Sequence, residues 1–419
     1  MQVKLLKVLR FPVCDNCLGR ILAAQLLHGF SNAERGKVLR TWAAFLLDAK
    51  ILKLEAVEPS NFAEFEFRNV KLETKKKECY FCQGFFERIN EWVERIKKRI
   101  SEYEFGSFLV GCKPSVEMLK REEEIFEEVG IEFAESIREE ITREIGKRLS
   151  KEMKKEFDPK NPEITILVDL ENDKISISIK SLFIYGEYKK LVRGIPQAKW
   201  ICSNCKGKGC VKCKGTGKLY PTSIQEIIEK PLLKLTKGKK SSFHAQGRED
   251  IDARCLDWRP FVIEIKKPKL RKIDLKKVER EINKSKKVKV RKLKFVEKQI
   301  VKLLKAERRD KTYAVEVVFK RDVDKQRLKL LKSLENKIVE QKTPLRVLHR
   351  RTDKLRKRKV LKISWKVLGK RKILFKIRAQ AGLYIKELVS GDKGRTKPSI
   401  AEILNNEVKS IKLDVVKIH

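Results

Sequence analysis

The sequence predicts a chain of the α/β (α+β) class with two folded domains separated by a cysteine- and glycine-rich island. Helical patterns alternate with strand patterns in the first half, whereas strand patterns recur throughout the second half. The island, WICSNCKGKGCVKCKGTGK, spans residues 200–218 and interrupts both patterns. We therefore place the first domain at residues 1–198, the island at 199–218 and the second domain at 219–419.

The first half contains long helical patterns and a smaller number of strands. A helix-like apolar stretch runs from Leu18 to Leu47, and a charged helical stretch covers residues 116–157. Residues 108–110 are predicted to form a buried strand, and residues 164–170 and 174–179 flank a turn as a β-hairpin. An amphipathic helix is predicted where apolar residues recur at intervals of three or four: Phe85, Ile89, Trp92, Ile96 and Ile100.

The second half is predicted to be a mixed, largely antiparallel sheet with helices between its strands. A helical pattern covers residues 325–339. The predicted strands are residues 261–265, 287–296, 313–319, 360–367 and 373–379.

The charge balance is the most unusual property of the composition. The 419 residues include 100 Lys plus Arg against 57 Asp plus Glu, which gives a formal net charge of +43. Residues 266–311 alone carry 21 basic and six acidic side chains, alternating with apolar ones. A Lys- and Glu-rich thermophile surface would explain many charges but not this excess of one sign. The excess favours a polyanionic partner, and nucleic acid is the leading candidate.

Other features of the sequence indicate a cytoplasmic protein. No stretch of about 18 apolar residues is present, so we expect no membrane span. The N-terminus, MQVKLLKVLRFPVCDNCLGR, lacks an apolar signal core with a cleavage site. In such a compartment the ten cysteines are to be interpreted as metal ligands or free thiols before disulfides. The sequence gives no indication of an obligate protein partner.

Two CxxC pairs near the N-terminus have the spacing of a zinc site. Each pair, Cys14/Cys17 and Cys79/Cys82, can place two thiolates on one ion, and together they complete a tetrahedron. The ion would then connect the N-terminus to the rest of the first domain. The alternative is that these are four unligated thiols.

A second cysteine cluster lies in the island. Cys202, Cys205, Cys210 and Cys213 form two C-x-x-C-x-G-x-G repeats, whose glycines allow backbone amides to turn toward the sulfurs. We interpret it as a second possible zinc knuckle, with an iron–sulfur cluster as the alternative. Neither cluster is predicted to be catalytic, because four sulfur ligands leave no open position for water. Cys112 and Cys255 are predicted to be unligated.

The segment 242–254, SFHAQGREDIDAR, is the strongest candidate for chemistry. Its Gly-Arg-x-Asp turn places the carboxylate of Asp250 beside a guanidinium on a bend. An acidic cluster on a basic surface repels nucleic acid, so its presence there suggests that the carboxylates have a task. A surface turn closed by an Arg–Asp ion pair is the structural alternative, so the motif by itself is only suggestive.

The surroundings of this turn resemble a known family. Residues 247–264, GREDIDARCLDWRPFVIE, resemble the catalytic loop of the tRNA pseudouridine synthase family that acts on the TΨC arm in archaea and eukaryotes. The N-terminal half with its CxxC pairs also resembles this family, whose members carry a zinc-linked THUMP-type RNA-binding domain there. Further segments follow in the expected order: YGEYKKLVRGIPQAKW (185–200), KTYAVEV (311–317), QKTPLRVLHRR (341–351) and AQAGLYIKELVSGDKGRTKPSI (379–400).

The resemblance implies a role for individual residues. Asp250 matches the nucleophile, with Asp252 as the competing carboxylate. Lys386 occupies the basic position that pairs with the nucleophile. The other substrate-binding positions are Arg248, which would hold the backbone or intercalate, Tyr313, which would stack on the base, and Tyr384 and Leu388, which would line the pocket. By residue type alone, Tyr313, Tyr384 and Leu388 would be interpreted as packing residues.

The sequence departs from the family just after the turn. Members usually carry Leu-Gly-x-Gly-Arg-Pro there, whereas this chain has Leu256-Asp-Trp-Arg-Pro260 without either glycine. The turn is therefore shorter than in the family, and Arg259-Pro260-Phe261 is retained. Ala245-Gln246 also replaces a small Gly-Ala pair.

The resemblance implies that the protein converts uridine to pseudouridine at positions 54, 55 or both of tRNA. The reaction needs no cofactor, and the sequence has neither a P-loop nor a dinucleotide-binding fingerprint. The alternatives are a non-catalytic zinc-knuckle RNA-binding protein and a THUMP-bearing methyltransferase. The first leaves the catalytic motifs unexplained, and the second lacks a glycine-rich nucleoside-binding loop.

Overall fold

The chain divides after Lys180 into two units, each with its own β-sheet. The computed structural model describes residues 1–349 and 351–419; Arg350, in the QKTPLRVLHRR segment, lies outside the described residues. The units are Met1–Lys180 and Ser181–His419. The domain boundary that we placed at residue 198 thus falls inside the second unit, because Leu182–Lys190 forms a strand of its sheet.

The first unit packs six described α-helices and a four-stranded sheet around one core. Its elements are α1 (Gln2–Leu9), α2 (Asp15–Leu22), α3 (Asn32–Asp48), α4 (Ile89–Ile100), β1 (Ser107–Lys113), α5 (Val116–Val129), α6 (Ile137–Met153), β2 (Glu156–Phe157), β3 (Ile164–Asp169) and β4 (Lys174–Ile179). In the sheet order β2-β1-β3-β4, β1 runs parallel to both β2 and β3, and β3 and β4 form the predicted hairpin.

Two long helical stretches of the first half are each divided in the structure. The stretch from Leu18 to Leu47 becomes α2 and α3, and the stretch 116–157 becomes α5 and α6. The second division follows from local chemistry: Gly130 ends α5 at φ +77°, and the Ser136 hydroxyl accepts from the Glu139 amide to cap α6. The helical pattern of residues 116–157 continues across this boundary, so the pattern did not predict it.

The second unit is built on a ten-stranded mixed sheet. Its strands are β5 (Leu182–Lys190), β6 (Lys240–Ala245), β7 (Arg254–Lys266), β8 (Val288–Val296), β9 (Lys311–Phe319), β10 (Ile338–Gln341), β11 (Arg356–Gly369), β12 (Lys372–Ala379), β13 (Thr396–Lys397) and β14 (Val408–Ile418). Their order in the sheet is β13-β10-β11-β12-β9-β14-β7-β5-β8, with β6 paired to β7. Among these described strands β14 and β7 form the parallel pair, so the predicted largely antiparallel sheet is confirmed.

Helices cover this sheet in two groups. One core packs against β9, β11 and β12 and contains Leu388, and a second packs against β5, β7 and β8. Strand β14 lies between these two groups in the sheet order, and its parallel pairing with β7 joins them. The helices are α7 (Ile224–Thr236), α8 (Leu275–Asn283), α9 (Gln299–Ala306), α10 (Lys325–Leu330), α11 (Leu345–Leu348), α12 (Ile385–Ser390) and α13 (Ile400–Ile403).

The predicted helix at residues 325–339 is only partly correct. α10 ends at Leu330, a 3₁₀ turn covers Leu331–Leu334, and β10 begins at Ile338. Asn336 at φ +59° reverses the chain into the strand. Pairing with β11 buries Val339, so tertiary pairing overrides the helical pattern there.

Within residues 1–349 and 351–419, no helix combines the length and apolar composition that crossing a bilayer requires.

The second unit should depend strongly on the core beneath β9 and β12. Phe375 is fully buried there and packs edge-on against Phe319. We expect Phe375→Ala to lower the free energy of unfolding of this unit by about 3–5 kcal/mol, because it leaves a cavity. Chemical denaturation measures this change, and Leu368→Ala, at a side chain that is 43% exposed, is the control. A loss below about 1 kcal/mol for Phe375→Ala would contradict this packing.

Candidate active site and metal centres

The predicted catalytic turn is the loop between β6 and β7, residues 246–253. Gly247 adopts φ +73°, and a Cβ there would lie 3.1 Å from Nη1 of Arg259. Only glycine fits this position without strain. A second turn is closed by the amide of Ala253, which donates to the carbonyl of Asp250 at 3.1 Å. The loop therefore presents Arg248 and Asp250 on a tightly bent backbone.

A buried polar network lies beneath this loop. Glu249 forms an ion pair with Arg259 at 3.2 Å, and both side chains are almost fully buried. The Tyr188 hydroxyl donates to the same carboxylate at 2.9 Å, and Gln197 donates to the Tyr188 oxygen at 2.8 Å. Because a buried charge is costly unless it is paired, this network fixes Glu249 as a structural carboxylate.

The carbonyl oxygens of the loop are held by donors from the YGEYKKLVRGIPQAKW segment. Lys190 Nζ donates to the carbonyls of Asp250 and Ile251 at 3.1 and 2.8 Å. Gln197 donates to the carbonyl of Gly247 at 3.0 Å, and Arg193 donates to that of Asp252 at 2.7 Å. Burial lowers the pKa of Lys190 to about 8. The segment thus acts as a scaffold for the loop backbone.

The Asp250 carboxylate is partly exposed and contacts two cations. Nη1 of Arg346 lies 3.0 Å from Oδ1, and Nζ of Lys386 lies 3.4 Å from Oδ2. The side chain is 31% exposed, so one part of it remains open to solvent. These contacts restrict the rotation of the carboxylate.

Asp252 has a different environment. Its side chain is 63% exposed and binds Lys386 through both oxygens, at 2.7 and 2.8 Å. Burial would raise the pKa of Asp252, but the hydrogen bond and charge of Lys386 outweigh it and lower the pKa. Lys386 therefore connects both carboxylates and lies closer to Asp252, although sequence reasoning paired it with Asp250.

Tyr313 lies on β9 near this site. It is partly buried and packs against the core that also contains Leu388. Burial raises its pKa to about 12, and the negative charge of Asp250 adds to this shift. The ring therefore stays a neutral phenol close to the carboxylate.

The remaining predicted residues, Tyr384, Leu388 and Arg248, have different environments. The Tyr384 hydroxyl accepts from Arg351 at 2.9 Å. Leu388 is completely buried on α12, so it supports the site from within the core and has no exposed surface. Arg248 is exposed, with its guanidinium 5.2 Å from the centre of the Trp200 ring.

The stretch without the family's glycines continues β7 instead of forming a loop. Trp258 lies between two cations, 4.7 Å from Lys189 Nζ and 4.3 Å from the Arg291 guanidinium. The Asp257 carboxylate accepts from the amide of Ile418 at 2.7 Å. These side chains tie the shortened segment to β5, β8 and β14.

The first cysteine tetrad lies entirely in the first unit. The four sulfurs of Cys14, Cys17, Cys79 and Cys82 lie within 4.8 Å of one another. Cys14 caps α2, and the amide of Tyr80 donates to the carbonyl of Pro12 at 2.7 Å, which joins the two CxxC segments. The Cys14–Cys82 sulfur distance is 3.6 Å, too long for a disulfide.

The second tetrad lies in the second unit and has an internal repeat. Sulfur distances among Cys202, Cys205, Cys210 and Cys213 include 3.7, 3.8 and 3.9 Å. A tetrahedron with metal–sulfur bonds of about 2.3 Å has edges of about 3.8 Å, so the geometry fits a metal ion. The amides of Gly209 and Gly217 each donate to a sulfur at 3.2 Å, as the glycine spacing predicted.

Comparison with known proteins identifies the family. The family model described as "Pus10, C-terminal" matches residues 183–419, and "Pus10 THUMP domain, archaeal" matches residues 92–169. A tRNA pseudouridine synthase Pus10 from Methanocaldococcus jannaschii is 42% identical over 98% of this chain and 92% of its own. The chain belongs to the Pus10 family. Another relative with the same name, from Methanothrix thermoacetophila, is 38% identical over 98% of this chain and 93% of its own.

Solved structures are similar only at a low level. One described as "Crystal Structure of a Cbf5-Nop10-Gar1 Complex" is 16% identical, with a TM-score of 0.31 over 55% of this chain and 48% of that chain. "Crystal structure of pseudouridylate synthase" is 12% identical, with a TM-score of 0.21 over 66% of this chain and 82% of that chain. The Pus10 assignment rests on the family models and the curated relatives.

Sequence reasoning missed several residues that form or contact the loop between β6 and β7. Arg346, Lys190 and Glu249 were not singled out, although all three lie within motifs that carried the resemblance. The signal that could have singled out Arg346 is its isolation, because no other Lys or Arg lies between Lys342 and His349. Neither periodicity nor charge could identify its partner, because the contact with Asp250 spans 96 residues.

The glycines of the second tetrad should be essential for metal retention. Gly217 has φ +67°, and a Cβ there would lie 2.4 Å from the carbonyl oxygen of Gly207. We expect Gly217→Ala to reduce the bound metal by about one ion per chain, because the shifted loop cannot keep four sulfurs on one ion. Elemental analysis after dialysis measures this loss. Gly194→Ala, at φ +83° with open space, is the control, and equal metal content in the two variants would contradict the role of Gly217.

Proposed function

We propose that this protein isomerises uridine to pseudouridine in tRNA, at position 54, 55 or both, with Asp250 as the nucleophile. The observation that carries the proposal is the Asp250 carboxylate, which is partly exposed and bound by Arg346 and Lys386. Its loop lies within residues 183–419, which match the Pus10 C-terminal model, and resembles the family's catalytic loop. The curated relatives, named tRNA pseudouridine synthases, support the substrate class.

The environments of the three loop carboxylates favour Asp250. Glu249 is buried in its ion pair with Arg259 and has no access to substrate. Asp252 binds Lys386 through both oxygens and points further into solvent. Asp250 combines access, a charge-stabilising environment and a fixed backbone, which are the requirements for a nucleophile.

A carboxylate suits the chemistry of this isomerisation. The N1–C1′ glycosidic bond breaks, the uracil rotates, and C5 bonds to C1′. The proton lost from C5 is balanced by the proton that N1 gains, so the product is an isomer of the substrate. Asp250 would either attack C1′ or stabilise the positive charge that develops there. The reaction is redox-neutral and requires no added cofactor.

Access to the target requires the uridine to leave its stack. Tyr313 would supply an aromatic surface for the extruded base beside Asp250. Arg248, exposed on the loop, would hold the RNA backbone during this step. Tyr384 would contribute to the pocket through its hydroxyl, which Arg351 binds.

The excess positive charge would bind the rest of the tRNA. The net charge of +43, the basic segment 266–311 and residues 391–397 would contact phosphates independently of sequence. The first unit, whose residues 92–169 match the THUMP model, would bind a part of the tRNA distant from the target. The affinity should therefore fall as salt increases.

Removal of the nucleophile tests the proposal directly. We expect Asp250→Asn to lower the rate of pseudouridine formation on unmodified tRNA at least about 1,000-fold, because an amide cannot replace the carboxylate at C1′. Mapping pseudouridine in tRNA after incubation without any cofactor measures it. Asp252→Asn is the matched control on the same loop, and we expect it to keep most of the activity.

Two results would contradict the proposal. Wild-type protein that binds tRNA without forming pseudouridine would favour a non-catalytic RNA-binding protein. Activity that persists in Asp250→Asn and disappears in Asp252→Asn would transfer the nucleophile to Asp252.

We also propose that each tetrad holds a structural Zn²⁺ ion. Four thiolates at tetrahedral spacing suit zinc, and they leave no position for substrate. Cys14, Cys17, Cys79 and Cys82 would bind one ion, and Cys202, Cys205, Cys210 and Cys213 the other. Each ion would stabilise the unit that contains it and take no part in the reaction.

Zinc analysis of cysteine variants tests this assignment. We expect about two zinc ions per wild-type chain and about one in Cys14→Ser or Cys202→Ser, because three sulfurs bind much more weakly than four. Cys112→Ser and Cys255→Ser, at buried cysteines outside both tetrads, are the controls and should keep the full zinc content. Iron in place of zinc, or zinc unchanged in Cys202→Ser, would refute the assignment for the second tetrad.

A further inference from the structure

Asp250 contacts one more cation than the family resemblance assigns to it. The resemblance gives the nucleophile a single basic partner, Lys386. The structure adds Arg346, whose Nη1 lies 3.0 Å from Oδ1 of Asp250, a shorter contact than the 3.4 Å from Lys386 to Oδ2. Lys386 also binds Asp252 at 2.7 Å, so its charge is shared between two carboxylates.

The guanidinium of Arg346 is itself held in place. Its Nε donates to the Glu387 carboxylate at 2.7 Å while Nη1 contacts Asp250. Glu387 is 4% exposed and lies on α12, next to Lys386. Because a guanidinium is planar and its donors are rigidly spaced, binding at Nε fixes the direction of Nη1.

The short helix that carries Arg346, α11, is anchored by a residue that closely follows α12. α11 is a single short turn, and the amide of its first residue, Leu345, donates to the Asp392 carboxylate at 3.0 Å. Asp392 directly follows α12 and Gly391. The position of Arg346 is therefore set at its backbone and at its side chain by the α12 region.

We propose that Arg346 is a positioning residue that Glu387 orients, and that it holds the Asp250 carboxylate at the angle required for attack on C1′. This inference rests on the proposed function. Arg346 holds Oδ1, Lys386 lies near Oδ2, and Lys190 holds the backbone carbonyl of the same residue. A carboxylate contacted at both oxygens from two helices cannot rotate freely, so its orientation is established before substrate arrives.

An alternative role for Arg346 predicts a different measurement. If its cation mainly binds a tRNA phosphate, its loss will weaken tRNA binding and leave the rate of the bound complex unchanged. If it positions Asp250, the rate will fall in the bound complex while the affinity changes little.

The experiment compares four variants: Arg346→Gln, Arg346→Lys, Glu387→Gln and the double variant Arg346→Gln/Glu387→Gln. Two quantities are measured for each: the single-turnover rate of pseudouridine formation at saturating enzyme, and the Kd for unmodified tRNA at fixed salt. Thermal unfolding confirms that each variant folds. Arg371→Gln is the matched control, because Arg371 forms an exposed ion pair with Asp322 at 2.7 Å on the surface of the same unit.

We expect Arg346→Gln to lower the single-turnover rate about 100-fold with less than about a threefold change in Kd. Arg346→Lys should recover only part of the rate, about tenfold below wild type, because an ammonium lacks the planar fork that reaches both carboxylates. Glu387→Gln should lower the rate about tenfold, although it leaves the charge next to Asp250 unchanged. The double variant should be no slower than Arg346→Gln, because both residues act through one contact.

Several outcomes would overturn the inference. A rate within twofold of wild type in Arg346→Gln, or a loss confined to Kd, would exclude a positioning role. Full activity in Arg346→Lys would show that charge alone is needed, and additive losses in the double variant would exclude the link to Glu387. These results require active wild-type protein; wild-type protein that forms no pseudouridine would refute the proposed function and this inference together.

Discussion

The turn that carries Asp250 depends on cations that bind its backbone carbonyl oxygens. Lys190 and Arg193 bind three of these carbonyls, and Gln197 binds a fourth. Backbone carbonyls that are buried without a hydrogen-bond donor destabilise a loop. The donors come from β5 and the segment after it, and they lie 50 to 61 residues before the carbonyls that they bind. The pairing of β5 with β7 therefore brings these donors to the turn.

Burial assigns different tasks to three neighbouring carboxylates of the same chemistry. Glu249 is enclosed with Arg259 and Tyr188 and holds the loop to the sheet. The Asp250 side chain is partly exposed and contacts Arg346 and Lys386, whereas the Asp252 side chain is largely exposed and binds Lys386. The difference arises because successive residues of a tight turn point in different directions. A chain with a net charge of +43 can hold these carboxylates together because cations surround each of them.

The two cysteine tetrads illustrate two ways of bringing four sulfurs together. In the first, more than 60 residues separate the CxxC pairs, so the tetrad forms only when the first unit has folded around it. In the second, 12 residues contain all four cysteines, and glycines at positive φ make the turns. The first resembles a cross-link between distant segments, and the second a local knuckle.

The sequence by itself determined the order of the domains and both cysteine tetrads, because the CxxC spacing and the recurring patterns record them. The turn with Asp250 was identified through its resemblance to a family, since its own residues were only suggestive. It could not locate the boundary at Lys180, the break between α5 and α6, or the end of the helix at Leu330. Only the tertiary structure decided which groups surround Asp250. Arg346 lies 96 residues from Asp250 in sequence, and the two meet because α11 is anchored beside α12. Such a contact depends on how the strands pair, which no local pattern records.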